Sequence, residues 1–244
     1  MSDTAALEAA SYATWTADEA DVVDGWHVTA TAGLSRRVNS ARDMGDAVVS
    51  SKSLAALRSW FDERQIAFVV RETPLMTFDT SHAVRDQWGF GPLDETTVMS
   101  GPVWPARIGD ARICPTDDPD FHSELASLNG RTGADVETLA RLLDRVADRS
   151  AGVWIPGVGG AVVVQDEGRA AVFSLAVDRG YHRRGVATQL MGAASNWADS
   201  QDVSELFVQV VGTNSPALGL YASLGFTEEY RYRYLQPVGS GPPE

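Results

Sequence analysis

The segment Phe173–Thr188, FSLAVDRGYHRRGVAT, limits what this chain can fold into more than any other. An apolar run of strand length enters a turn at Asp178–Gly180, passes through a basic cluster and meets Gly185. There the spacing changes from strand-like to helical, with Val186, Leu190, Met191, Ala194 and Trp197 on one side of a helix over Gly185–Asp199. Gly185 has no Cβ, so a ligand can come close to the backbone. The helix that follows points unsatisfied N–H groups and the positive end of its dipole at the same place. Arg179, His182, Arg183 and Arg184 add positive charge there, on a chain whose formal net charge is −13. The combination suits a pyrophosphate. On those residues alone, a turn glycine beside a solvated arginine patch is as good a reading.

Around this segment the pattern is strand, strand, helix, strand, helix, strand. Strands are expected over Ala161–Gln165, Ala170–Val177, Leu206–Val211 and Tyr230–Leu235, and helices over Phe121–Leu128, Asp135–Arg149 and Ser215–Ser223. The first half offers a helix at Leu7–Trp15, an acidic stretch at Asp18–Asp24, and a hairpin from Gly25–Thr31 through a Gly33 turn to Leu34–Asn39. A helix over Ser53–Glu63, a strand over Ile66–Arg71, a helix over His82–Trp88 and a strand over Thr96–Met99 follow. This is an α/β (α+β) chain with a mixed central sheet flanked by helices. Cys114–Asp120 (CPTDDPD), with two prolines and three carboxylates, reads as a linker. It divides the chain into 1–119 and 120–238, with a flexible tail at 239–244.

Composition narrows the function classes. A strongly acidic chain repels phosphate backbones, so no nucleic-acid partner is expected, although such a surface often serves only solubility. No apolar run approaches the roughly 20 residues that span a bilayer, so no membrane partner is expected. One cysteine and four scattered histidines give neither a disulfide framework nor metal-ligand spacing. MSDTAALEAASYATW lacks the basic and apolar regions of a secretory leader, and a cytoplasmic location is expected.

His182-Arg183-Arg184-Gly185-Val186-Ala187 resembles the Arg/Gln-x-x-Gly-x-Gly/Ala fingerprint of the GNAT superfamily of N-acetyltransferases, with histidine in the first position. A second block, Val208–Val211 followed by Asn214, Ala217, Tyr221 and Leu224-Gly225-Phe226, is similar to the family's next strand and helix. The resemblance covers roughly 152–235. It implies an N-acyltransferase that moves an acetyl group from acetyl-CoA to a primary amine of a small molecule or peptide, without a metal. It also implies that the backbone of Leu175, Ala176 and Val177 pairs with the pantetheine arm. Residues 183–188 (Arg183, Arg184, Gly185, Val186, Ala187 and Thr188) wrap the pyrophosphate with His182 beside them, and Asn214 bonds the pantetheine. Tyr221 lies near the sulfur, where a phenol can protonate the departing thiolate.

The family's usual carboxylate on the strand before the fingerprint is missing from Ala171–Val177. The proton acceptor then comes from elsewhere, with Glu205, Tyr232 or a residue of the first half as candidates, or the acceptor amine has a low pKa. Glu228 and Glu229 read as solvated charges, and Gln209 as either a substrate contact or a surface residue. The lost carboxylate also admits a non-catalytic acyl-CoA sensor. No Gly-x-Gly/Ala element occurs before residue 120. The Trp88-Gly89-Phe90 ending nonetheless resembles that of the second half, implying tandem GNAT-like domains of which the first is degenerate. Arg36, Arg37 and Asn39 on the expected hairpin are candidate substrate contacts, and equally a turn with solvated arginines.

Overall fold

The computed structural model describes residues 3–32 and 34–239. Gly33 and residues 240–244 of the expected tail lie outside the described residues. The chain forms two compact units that are interleaved in sequence. The first holds residues 3–5, Ala17–Thr97 and 230–239; the second holds Ala6–Thr16 and Val98–Glu229. The single cut expected at 119/120 does not coincide with these units.

In the first unit, β1 (Glu19–Val23) and β2 (Trp26–Ala30) form an antiparallel hairpin through Asp24-Gly25. Both turn residues have positive φ, as a two-residue hairpin loop requires, and a Cβ on Gly25 would meet the Asp46 carbonyl oxygen at 1.9 Å. The acidic stretch therefore holds a strand, in which Ala20 and Val22 are exposed along with Glu19 and Asp21. Beyond β2 lie β3 (Ser40–Asp43), antiparallel to it, and β4 (Val70–Glu72), parallel to β3. The C-terminal part of β11 (Thr227–Pro237) pairs antiparallel with β4, Tyr234 opposite Arg71. Helices α2 (Ser51–Glu63) and α3 (Phe78–Asp86) cover one sheet face. There Trp26, Val28, Leu57, Phe61, Val70 and Leu235 form the core.

Leu34–Asn39 is not the expected second hairpin strand. It is a short 3-10 turn at Arg36–Val38, capped by Ser35, while the Asn39 amide bonds the backbone of Thr31 and Ser35. Local side-chain bonds have replaced a ladder there.

In the second unit the strand order is β10-β9-β8-β7-β6. These are β6 (Arg112–Cys114), β7 (Ser150–Ile155), β8 (Gly159–Asp166), β9 (Arg169–Val177) and β10 (Glu205–Val211). The β9–β10 pair is parallel and the β6–β7, β7–β8 and β8–β9 pairs are antiparallel, so the sheet is mixed. The strand β5 (Phe90–Pro102) passes from the first unit into the second after Thr97.

On one face α6 (Val186–Ser200) packs Val186, Leu190, Met191 and Ala194 against Val163, Val172, Val208 and Val210. Each valine, leucine or methionine among them contributes about 1.5–3 kcal/mol when fully buried. On the other face, α1 (Asp3–Thr14) is followed by Trp15, whose ring lies 4.9 Å from that of Phe173. Helices α4 (Pro119–Leu128), α5 (Ala134–Asp144) and α7 (Ser215–Ser223) complete the unit.

The stretch CPTDDPD does not separate the units. Cys114 ends β6, and Asp118 caps α4 by accepting from the backbone N–H of Asp120 and of Phe121, both at 3.0 Å, with Pro119 opening the helix. Its turn chemistry is that of a helix start inside one unit.

Candidate functional site

The site grows from an irregularity in β9. Ser174 has φ +53°, and the pairing with β8 shifts register between Gly160 and Val162, which marks a β-bulge. On its other edge β9 pairs with β10 only from Arg169 to Ala171 against Glu205 to Phe207, among the described residues. Past that point the two parallel strands are no longer laddered. β8 still holds the far edge, with Gly160 opposite Ala176 and Gly159 opposite Val177. An open strand edge at Leu175–Val177 is thus available to a ligand amide.

The turn that follows is fixed locally. Asp178 accepts from Gly180 N–H at 2.8 Å and donates its own N–H to the Val158 carbonyl at 2.8 Å. His182 Nε2 lies 3.0 Å from the Val177 carbonyl oxygen, so its N–H there can tie the basic loop to the strand end. Arg183 and Gly185 have φ +61° and +77°, and the curled backbone brings successive N–H groups to one side. Gly185 caps α6 with no side-chain hydrogen bond, leaving the first-turn donors unused by any side chain. A Cβ built on Gly185 meets nothing within 4 Å, so the space beside it is open. Opposite, Asn214 caps α7 by accepting from Ala217 N–H at 3.2 Å, which leaves its amide nitrogen for a ligand.

These elements enclose a cavity of about 560 Å³. Of the residues expected at the cofactor, Leu175, Val177, His182, Arg183, Gly185, Val186, Ala187, Thr188 and Asn214 line it. Ala176, Arg184 and Tyr221 do not. Ala176 lies between two lining residues, and the Arg184 guanidinium stands over the Tyr181 ring, 5.5 Å from its centroid. Tyr221 packs on Phe226 with ring centroids 5.6 Å apart, and burial pushes its phenol up to about 12. It keeps its proton through the neutral range. The sequence reasoning missed Tyr181, Pro216, Gly219, Leu220 and Ser223 on the cavity wall. For Leu220, the helix period from Asn214 and Ala217 was the available signal.

The other candidates do not line this cavity. Arg36 pairs with Asp94 in the first unit, Arg37 sits beside it on the same short turn, and Asn39 spends its amide on the turn backbone. Gln209, on β10, donates to the Ser11 hydroxyl of α1. Glu205 is ion-paired with Arg169 at the start of β9, six residues from Leu175 and so about 20 Å from the cavity. Tyr232 is in the first unit. Burial alone would raise its phenol, but the Arg71 guanidinium stacked 3.7 Å from its ring centroid, helped by Arg37, leaves it lowered. A residue the sequence did not flag is Glu8 on α1, 1% exposed and one helical turn before Ser11. It is the one buried carboxylate of the second unit among the described residues. No group of three or more metal-ligating side chains occurs among the described residues, and no helix there is long and apolar enough to cross a membrane.

A mixed sheet that opens at a bulged strand, with an uncapped glycine-led helix below the opening, is the fold of the GNAT acetyltransferase superfamily. Within it, the family described as "Probable histone acetyltransferase Rv0428c C-terminal" matches residues 1–235, and the chain belongs to that family. The [Ribosomal protein bS18]-alanine N-acetyltransferases of Salmonella typhimurium and Escherichia coli K12 are each 35% identical over 79 residues, covering 32% of this chain and 52% of theirs. The chain spans about half the length of these curated relatives. Among solved structures, a GCN5-related N-acetyltransferase from Kribbella flavida superposes with a TM-score of 0.73 at 12% identity, over 98% of this chain and 97% of that one. A tandem GNAT protein from the clavulanic acid biosynthesis pathway gives 0.58 at 14% identity, over 84% and 76%. These last two likenesses concern the fold.

Proposed function

We propose that the chain is an N-acetyltransferase that uses acetyl-CoA and accepts a primary amine on a small molecule or peptide. The observation that carries this is the cavity between the open edge of β9 and the uncapped N-terminus of α6. Acetyl-CoA would supply an activated acyl group as a thioester. The loop 183–188 with the first turn of α6 would hold its pyrophosphate, Leu175–Val177 its pantetheine amides, and Asn214 the arm from the other side. Tyr221 packs on Phe226 next to the wall residue Leu220 and not on the cavity wall itself. It would have to bring its hydroxyl to the sulfur, giving its proton as the amine nitrogen bonds to the acyl carbon and the carbon–sulfur bond breaks.

The amine must lose a proton. At pH 7 this costs a lysine-type amine about 4.6 kcal/mol, and an α-amine near pKa 8 about 1.4 kcal/mol. The β9 strand offers no carboxylate, so an α-amine suits this site better. The curated relatives carry an alanine of a ribosomal protein in their name, and the family description a histone. Glu8, the buried carboxylate of this unit among the described residues, is our candidate for the proton acceptor, one turn from the Ser11–Gln209 contact on β10.

The missing β9 carboxylate also favours a second reading, an acyl-CoA sensor without turnover. Release of free CoA with a panel of α-amines and lysine-type amines separates the two. Amine-dependent release establishes the enzyme; tight acetyl-CoA binding with no release across the panel establishes the sensor.

A further inference from the structure

A second hollow of about 440 Å³ lies between α4 and α5, in the same unit as the cofactor cavity. Its polar wall is Ser123, Ser127, Arg131 and Thr132, with Gly130 and Val136 closing it. Arg131 is the unusual member. Its Nε is buried without a hydrogen-bond partner, and its guanidinium has no ion pair among the described residues. Burial lowers its pKa from the ordinary arginine value, while Asp135 in the first turn of α5 acts in the opposite direction from beyond ion-pair distance. A half-buried guanidinium flanked by three hydroxyls, with donors unspent, is a ready partner for a carboxylate.

The hollow is tied to the chemistry by one residue. Asn129, which ends α4 immediately before Gly130 and Arg131, donates its amide to the Leu125 carbonyl at 2.9 Å and to the Ser174 carbonyl at 3.2 Å. Ser174 is the bulge residue of β9, next to Leu175 on the cofactor cavity. The loop carrying Arg131 is therefore fastened to the point where the strand opens.

We infer that the α4–α5 hollow is a carboxylate-binding subsite in which Arg131 holds an acidic group of the amine acceptor. This rests on the acetyltransferase reading. The guanidinium fork grips the carboxylate in two parallel N–H···O bonds, the hydroxyls of Ser127 and Thr132 complete it, and the amine end extends toward the bulge at Ser174. The subsite thus selects acceptors by the distance between their amine and their carboxylate.

The test uses alanine peptides of one to four residues, each with a free C-terminal carboxylate and as its C-terminal amide, on the full chain and on Arg131→Gln and Arg131→Lys. Both substitutions keep the backbone bond from residue 131 to the Ala126 carbonyl, and equal melting temperatures check that the fold is intact. For at least one peptide length, the native protein should show a KM about tenfold lower for the acid than for the amide, with kcat alike. Arg131→Gln should abolish that ratio by raising only the acid's KM, and Arg131→Lys should restore part of it. No acid preference at any length, or a preference that survives Arg131→Gln, overturns the subsite. If no peptide is acetylated, calorimetric titration with the same peptides still decides. Acid binding that disappears in Arg131→Gln keeps the subsite and defeats the acetyltransferase reading, whereas binding equal in both proteins, or absent from both, defeats the subsite.

Discussion

Replacing Gly185 separates backbone strain from ligand exclusion, because the two effects have different sizes and different readouts. The residue sits at φ +77°, where an L-residue costs about 1–2 kcal/mol, and no atom lies within 4 Å of the place an alanine methyl would take. Gly185→Ala should therefore fold, with a melting temperature lower by roughly 2–8 °C for a chain of this size. The methyl points into the space assigned to the pyrophosphate, and acetyl-CoA should bind about tenfold more weakly by calorimetry. Gly185→Glu carries the same strain, partly offset by a carboxylate at a helix N-terminus. We take a separation of about 5 Å between that carboxylate and a pyrophosphate bound at the start of α6 for the coulombic estimate. At an effective dielectric of about 20, the repulsion is about 3 kcal/mol, or roughly two orders of magnitude in affinity. Raising the salt concentration should recover part of the loss in the Glu variant and none in the Ala variant, since only the former is coulombic. If Gly185→Glu binds acetyl-CoA within about threefold of the native protein, the anion is not held at α6 and the site assignment fails.

Three further outcomes are expected. Tyr221→Phe should lower kcat by about 10²-fold or more while leaving acetyl-CoA affinity nearly unchanged, as measured by single-turnover acetylation and calorimetry. The Tyr221 phenol is raised in the folded state, so its stabilisation is complete below pH 10 and is lost as pH rises toward about 12. Denaturant midpoints should fall over that window in the native protein and less steeply in Tyr221→Phe. Glu8→Gln should remove most of the rate with lysine-type amines and less of it with α-amines, and equal losses on both classes would rule Glu8 out as the proton acceptor.

What could be read in the sequence was local. The strand-to-glycine-to-helix switch at 173–188 is a change of period, and α6 followed from it, whereas Pro216, Gly219, Leu220 and Ser223 on the cavity wall did not. Asn214 was legible only through the resemblance of its block to the family's, and in the structure it caps α7 and lines the cavity. Features that depend on distant partners were not visible. Nothing in FSLAV marks a bulge at Ser174, because the kink shows only against the register of β8. Leu34–Asn39 has strand-like spacing, yet the Asn39 amide reaches back eight residues to Thr31 and closes a turn. CPTDDPD carried every mark of a linker because a helix cap and a linker use the same residues. Glu8 lay in a helix of weak amphipathicity, whose contact through Ser11 is to Gln209, a residue nearly 200 positions later.

The interleaving of the two units bears on how the chain is made. The strand β4 cannot acquire its antiparallel partner until residues 233–235 have left the ribosome, although Val70 was polymerised more than 160 residues earlier. At about 5–20 residues per second, that wait is on the order of 10 s. During it, the edge of β4 is open to whatever else could add a strand, and the nascent first unit is a natural client for a ribosome-bound chaperone. A stop codon anywhere before residue 230 would leave the first unit lacking the strand that pairs with β4, even though the lesion can lie about 130 residues beyond Thr97, where the main part of that unit ends.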